Sequence, residues 1–571
     1  MLLSILQRQS ATQRNKGASM AAGYLPTLSA APMPPLLFSS QHTRPAGRSV
    51  KTAASSASEA SSRCRATKLS AWTSVRQERW EGDLAVQGHL PLWLNGTYLR
   101  NGPGVWEVGD TSGALDHLFD GYAMLARVSF RGGRATGAHR QLESEAYKAA
   151  KERGRPLLRE FGHSPNNKPS NLLDQVCNIA GLISGGALTD NANVAVVPLG
   201  DGRVMCVTET TKGSILINPY TLGTIGRFRY TDMLGAVNML QSGHPVVTGG
   251  SELWTLLPDL VRPGYLVVRM AAGSNERKVV GRVCCRGGPA PGWVHSFAVT
   301  ENYVVVPEMP LRYSASSMLW SEPAQFYLFD WLPASGSFMH VVRKSTGKTV
   351  ASVEVPPFMA IHFINAYEEK REDGQPAAVI VDCCEYYADP AILDTLALQR
   401  LRSPRNSDAF PDGRVGRFRI PLDGSRFGEL ESAMDPDEHG RGMDMCSINP
   451  SYLGKEYRYA YGCSARRPCN FLNALTKIDL VEKTVKNWHD DDGVAPSEPL
   501  FVARPGETNE DDGQFISTNT LERVVISIVS DVHGGGYVVV LDGKTFEEIA
   551  RVRLPYGLPY GFHGCWIPGK I

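Results

Sequence analysis

The sequence predicts an all-β protein, a seven-bladed β-propeller with helical and loop insertions capping its top face. Three observations predict it: short β-type runs bounded by turn residues, a hairpin recurring at a loose period, and folded length for about seven units. The runs include "VAVVPLGDGRVMCVTET", "ENYVVVPEM", "AAVIVDCCEYY", "RVVISIVSD" and "GGYVVVLDG". Each has ordinary strand length and is punctuated by Gly, Asp, Asn or Pro. Four hairpins, "ILINPYTLGTIGRF", "HVVRKSTGKTVASV", "KIDLVEKTVKNW" and "VVLDGKTFEEIARV", run strand, polar turn, Thr, strand. The threonines are Thr221, Thr349, Thr484 and Thr545, separated by 128, 135 and 61 residues. These gaps are close to two, two and one units of roughly 60 to 70 residues, as structural repeats require. A four-stranded unit cannot bury both faces alone, and repetition around an axis solves this while protecting strand edges. A large sandwich-like β protein is the alternative, because such turns occur in any antiparallel chain.

Taken in order, the chain opens with a leader, residues 1–70, unlike the rest. It is rich in Ser, Ala, Thr, Arg and Lys and has no acidic residue before Glu59. That is a transit-peptide composition, and it predicts a plastid, stromal protein. The only early apolar stretch, "MLLSIL", is too short for a secretory core of roughly 7 to 15 residues. A disordered tail without an address has similar composition. The folded domain is expected over 71–571. Its pattern is interrupted at 140 to 175, 311 to 340 and 385 to 412. The middle interruption carries Met318, Leu319, Trp320, Phe326, Tyr327, Leu328, Phe329, Trp331 and Leu332. Such a segment covers an apolar tunnel, touches a membrane surface peripherally or packs as a core helix and turn.

Over the whole chain the net charge is +1 with 42% hydrophobic content. Nothing in that balance argues for nucleic acid. The 11 cysteines include adjacent pairs at Cys284/Cys285 and Cys383/Cys384 but no CxxC, so neither a zinc cluster nor a disulfide framework is legible.

Near the end, "LPYGLPYGFHGCW" sets His563 between Gly561 and Gly564. Paired glycines suggest a backbone path that other residues cannot follow. Three more histidines sit against strands or tight apolar segments: His244 in "LQSGHPVVTGG", His295 in "GWVHSFAV" and His362 in "PPFMAIHFINAYEE". His42, His139, His439, His489 and His533 have bland contexts. The four selected residues are separated by 51, 67 and 201 positions, near one, one and three repeat lengths. Equivalent places in successive blades converge on the axis, so the four rings could meet, and four imidazoles at one point imply a metal. Neutral imidazole suits Fe, Zn, Cu or Ni. A structural zinc would be closed at four ligands and would usually recruit cysteine. In octahedral coordination four nitrogens leave two open positions. Each ligating ring needs an acceptor for its other N–H, and Glu209, Asp444 and Glu498 are the candidate carboxylates.

At this point the residues resemble a known family. "NGTYLRNGPG", "HLFDGYAMLARVSF", "HPVV", "VHSFAVTENYVVVPE", "IHFINAYEE", "SEPLFV" and "PYGFHGCW" are similar to the carotenoid cleavage dioxygenases, seven-bladed propellers holding Fe(II) with four histidines. The resemblance runs from about residue 72 to the end. It implies that His244, His295, His362 and His563 bind one Fe2+ per chain, and that Glu209 and Glu498 match two of three glutamates that hold those rings. The third position is Asp444, whose shorter side chain must reach its histidine through a water or a shifted strand. "GMDMCSINPSYLGKEYRYAYGC" and "LPYGLPYGFHGCWIPGK" resemble the branch that makes carlactone, the strigolactone precursor, which shares that Asp. The resemblance then implies O2 and an apolar apocarotenoid as substrates: 9-cis-β-apo-10′-carotenal to carlactone, or 13,14-cleavage of the all-trans isomer to β-apo-13-carotenone. Phe297, Phe358 and Trp566 are candidate tunnel-lining residues. A retinoid-type isomerohydrolase on the same ligands and a metal-free propeller binding lipid or protein are the alternative readings.

Overall fold

The computed structural model describes residues 70–109, 114–163, 188–236, 238–249, 251–320, 324–402, 409–438, 441–490, 493–507, 510 and 522–569. All but the last residue of the expected leader 1–70 lies outside this range, as do His42 and His439. The described chain is almost entirely antiparallel β-sheet. Five sheets have four strands each, beginning with Ala195–Pro198, Val246–Thr248, Ala298–Val299, Ala360–Lys370 and Met443–Ser447.

Why four-stranded sheets stack is visible along any one of them. The middle strands Tyr303–Glu308 and Ser337–Arg343 are buried almost throughout, whereas the fourth strand Thr349–Val355 is mostly exposed or half-buried. Continuous burial on a middle strand means that both faces are covered, here by neighbouring sheets. The repeated Thr hairpins all fall at the turn between the third and fourth strands. Asn218 Oδ1 accepts from Thr221 N at 3.0 Å, and Asp542 Oδ1 from Thr545 N at 2.8 Å. Asx turns of this kind explain why the polar residue before Thr recurs.

The expectation of seven separate four-stranded blades is corrected to five. Leu311–Tyr313 and Phe329–Trp331 pair as a two-stranded sheet, and the remaining strands form one 11-stranded sheet, because Arg79–Gly88 pairs on two sides. Its first half, Arg79 to Leu84, pairs with Arg134–Gln141, and its second half, Ala85 to Gly88, pairs with Glu548–Arg553. Gly96–Arg100 likewise pairs with Gly564–Pro568. Strands from both ends of the domain are thereby locked together, and His563 lies at this closure.

The α-helices among the described residues all lie in the three predicted interruptions: Glu145–Arg153, Ala315–Trp320, Ile392–Thr395 and Leu398–Arg402. Glu145–Arg153 has a capped start, with Ser144 Oγ accepting from Tyr147 N at 3.1 Å, and ends at Gly154 with φ 68°. Only glycine adopts that left-handed C-terminal geometry without steric cost.

Candidate metal centre

His244, His295 and His563 lie just before the first or last strand of their sheets, and His362 lies within the first strand of its own. That common placement brings together residues up to 319 positions apart: their ligand atoms all lie within 4.8 Å of one another. His244 Nε2 and His295 Nε2 are 3.1 Å apart. Two nitrogens bound to one ion at ~2.1 Å and at a right angle are separated by ~3.0 Å, so this pair is spaced as adjacent ligands.

Three rings are held from behind. His295 Nδ1 is 2.5 Å from Glu209 Oε1, His362 Nδ1 is 2.5 Å from Asp444 Oδ1, and His563 Nδ1 is 2.8 Å from Glu498 Oε1. A proton on each Nδ1 leaves Nε2 with a free lone pair directed at the cluster. His362 Nε2 is buried without a hydrogen-bond partner among the described residues, as a metal ligand's nitrogen should be. Among the described residues no carboxylate is hydrogen-bonded to His244, which is also the least buried of the four. Burial first, then the neighbouring imidazoles, hold His244 well below the ordinary histidine range; burial, His362 and Arg100 do so for His563. Neutral rings are the form that binds a cation. The donor set therefore fits a divalent ion with nitrogen preference.

Each carboxylate is itself fixed. Glu209 Oε2 accepts from Trp293 Nε1 at 2.8 Å. Glu498 Oε2 accepts from Gly564 N at 3.0 Å and Arg100 Nη1 at 3.4 Å, while burial pushes its carboxyl up to about 7. Asp444 accepts from Met445 N at 2.7 Å and from the Tyr386 hydroxyl. Asp444 needs no bridging water, because its strand is displaced: the register shifts between Asp444 and Ser447, and Met445 takes φ 54°. A bulge re-aims a side chain in this way. Trp293, Tyr386 and Arg100 did not emerge as site residues from sequence, although Arg100 lies inside "NGTYLRNGPG" and Trp293 inside "GWVHSFAV", motifs that could have flagged them.

Neither Gly561 nor Gly564 has a positive φ, so the expectation of an unusual backbone path is corrected to one of close approach. A Cβ on Gly564 would lie 2.5 Å from Leu99 O, and one on Gly561 2.7 Å from Arg100 Nε. Leu99 O belongs to a paired strand and cannot yield cheaply. Gly564→Ala is expected to cost about 1 to 3 kcal/mol through overpacking. Calorimetry should then show a melting temperature lower by several degrees, at about 2–4 °C per kcal/mol; an unchanged melting temperature would refute the close-approach account.

The cluster opens on a cavity of about 120 Å3, against the ~10–15 Å3 that one water needs. His295, His362 and His563 line it together with Phe119, Phe161, Phe329, Phe410, Phe471 and Phe562. Phe297, Phe358 and Trp566 do not, which corrects their expected placement. Phe297 packs in the core with Trp254 and Tyr265, Phe358 meets Phe418 at 4.9 Å, and Trp566 meets Phe130 at 6.1 Å. Adjacency in sequence to a ligand does not fix the direction of a side chain. From the 311–340 segment, Met318, Leu328 and Phe329 line the cavity, whereas Leu332 is exposed. The side chains of Leu319 and Trp320 lie outside the described part. His139, whose sequence context is bland, is buried and hydrogen-bonded to Tyr556.

The family model for retinal pigment epithelial membrane protein matches residues 72–568. The chain is 71% identical over 505 residues to carotenoid cleavage dioxygenase 8 homolog A, chloroplastic, of Oryza sativa subsp. japonica, covering 88% of each chain. It is 60% identical over 502 residues to carotenoid cleavage dioxygenase 8, chloroplastic, of Arabidopsis thaliana, covering 87% of this chain and 85% of that one. In fold it is similar to a mutant of Synechocystis apocarotenoid oxygenase, with a TM-score of 0.71 at 23% identity over 87% of this chain and 98% of the other.

Proposed function

We propose, because this chain belongs to the retinal pigment epithelial membrane protein family that includes the carotenoid cleavage dioxygenases, that the four histidines hold iron(II) and that the substrate is a β-apo-10′-carotenal. The protein is a plastid oxygenase that cleaves a carotenoid-derived polyene with O2, in strigolactone-type biosynthesis. The observation that carries the reading is the juxtaposition of an all-nitrogen ligand cluster with an apolar, aromatic cavity. Held by these four histidines, iron(II) would supply activation of dioxygen toward a conjugated double bond. The chain supplies the rest. Glu209, Asp444 and Glu498 orient the rings of His295, His362 and His563 through hydrogen bonds at Nδ1. The phenylalanines of the cavity exclude water and present the polyene to the cluster without polar competition.

Two outcomes fit the reading: rearrangement of the 9-cis aldehyde to carlactone, and 13,14-cleavage of the all-trans aldehyde to β-apo-13-carotenone. Incubating iron-loaded protein with each isomer under labelled dioxygen tests it. Label from O2 is expected in the products; label taken only from water would point to the isomerohydrolase chemistry instead. Identities of 60–71% to named dioxygenases favour the first, and the clustered histidines weigh against a metal-free binding propeller. Residues 1–70 are taken as the plastid address. The 11-stranded sheet is read as two further blades sharing Arg79–Gly88, which makes seven. Exposed Leu332 is taken to mark peripheral contact with a membrane, a contact that Leu332→Asp should weaken in vesicle co-sedimentation.

A further inference from the structure

Besides the histidines, Glu209, Asp444, the threonines Thr208 and Thr210 and the tyrosines, the polar residues of the mainly apolar cavity wall are Arg159, Glu160, Thr189 and Asn193. Most polar atoms of these four are spent within the protein. Arg159 Nη1 donates to Ser317 O at 2.8 Å, Asn193 Nδ2 to Gly121 O at 2.8 Å, and Thr189 Oγ1 accepts from Asn191 N at 2.9 Å. Glu160 differs. It is 5% exposed, it lines the cavity, and its Oε1 has no hydrogen-bond partner among the described residues. The backbone holds it firmly in place: Glu160 N donates to His163 O at 3.0 Å, and Thr189 N to Arg159 O at 3.2 Å.

An ionised carboxylate with no ion pair among the described residues and with one oxygen unsatisfied is costly in such surroundings, and the group takes up a proton instead. The charged groups in its surroundings are Asp120, Asp190, Arg159 and Lys212. Burial, then the Asp120 carboxylate, push the Glu160 carboxyl well above the usual carboxylate range, against side-chain hydrogen bonds from Thr189 and Asn191 that leave Oε1 without a partner. A neutral carboxyl is a hydrogen-bond donor, and a buried donor without an acceptor is itself unfavourable. A polyenal carries one polar atom, its terminal carbonyl oxygen, which accepts and cannot donate.

We propose that Glu160, as a carboxylic acid, donates a hydrogen bond to the terminal carbonyl oxygen of the polyenal and so determines which end of the substrate enters the cavity. This rests on the substrate reading given above. No bond is broken; the contact selects for the aldehyde end over the hydrocarbon end.

An anaerobic titration tests it, because binding is then read without turnover. A hydrogen bond to a conjugated carbonyl moves the polyene absorption band to longer wavelength. The full chain should bind β-apo-10′-carotenal with such a red shift, measured against the aldehyde in hydrocarbon solvent. Glu160→Leu should bind it without the shift and about 2- to 10-fold more weakly, the worth of one neutral hydrogen bond. Glu160→Gln keeps a donor of the same reach and should retain most of both. An analogue with a terminal methyl in place of the aldehyde should bind the wild type and Glu160→Leu equally. Persistence of the red shift in Glu160→Leu would overturn the proposal, as would equal weakening for aldehyde and methyl analogue. Failure of the wild-type chain to bind either polyene would overturn the substrate reading and this inference together.

Discussion

Replacing any one of His244, His295, His362 and His563 with alanine is expected to abolish polyene cleavage and remove bound iron, while the protein remains folded. The fold should survive because the carboxylates behind the rings keep other donors. Without His295, Glu209 still accepts from Trp293; without His362, Asp444 still accepts from Met445 N and Tyr386; without His563, Glu498 still accepts from Arg100 and Gly564 N. A buried charge left with no partner would cost several kcal/mol, and none of the three variants leaves one. His244, half-buried and with no carboxylate hydrogen-bonded to it among the described residues, should be the mildest for folding. What each variant loses in stability is the binding contribution of the ion, about 3 kcal/mol for a metal present at a hundred times its dissociation constant. Elemental analysis of purified variants, paired with melting curves run with and without a chelator, measures both. Iron retained at wild-type stoichiometry in any of the four would end the assignment of that residue as a ligand.

The second large effect is expected at Asp444. Asp444→Asn should lower kcat/KM about 10- to 100-fold, the usual range for a group that orients a metal ligand. The charge is lost although the shape is kept. An asparagine oxygen still accepts from His362 Nδ1 and Met445 N, and its amide can donate to a Tyr386 hydroxyl turned to accept. The cost is therefore electronic, a less basic imidazole, more than a displaced one. Asp444→Glu should be no better than Asp444→Asn. The bulge after Asp444 and the φ of 54° at Met445 are set for a short side chain 2.5 Å from its ring, and a further methylene has nowhere to extend. Full activity in Asp444→Asn, with unchanged iron content, would remove Asp444 from the orienting set.

Individual residues show how much of this was legible beforehand. The four histidines could be chosen from thirteen because each stands in a tight Gly, Pro or strand context, at spacings near multiples of one repeat. Thr221, Thr349, Thr484 and Thr545 marked the same turn in four sheets, and at Thr221 and Thr545 an Asx turn leaves the local signature. Other features left none. The split pairing of Arg79–Gly88, which turns seven expected blades into five separate four-stranded sheets and one large one, depends for its second half on partners more than 460 positions away. Phe297, Phe358 and Trp566 are near ligands in sequence yet packed elsewhere, while Phe119, Phe161 and Phe562 reach the cavity.

By itself, the order of amino acids determined the β-rich class, the repeat, the leader's composition and the candidate ligands, because turn chemistry and hydrophobic alternation are local properties of a chain. Tertiary structure alone decided that those imidazoles meet, which carboxylate stands behind which ring, and that Glu160 keeps one carboxyl oxygen without a hydrogen-bond partner among the described residues at the cavity wall. Such facts depend on distances between remote segments, and these are set only when the sheets close on one another and bury their faces.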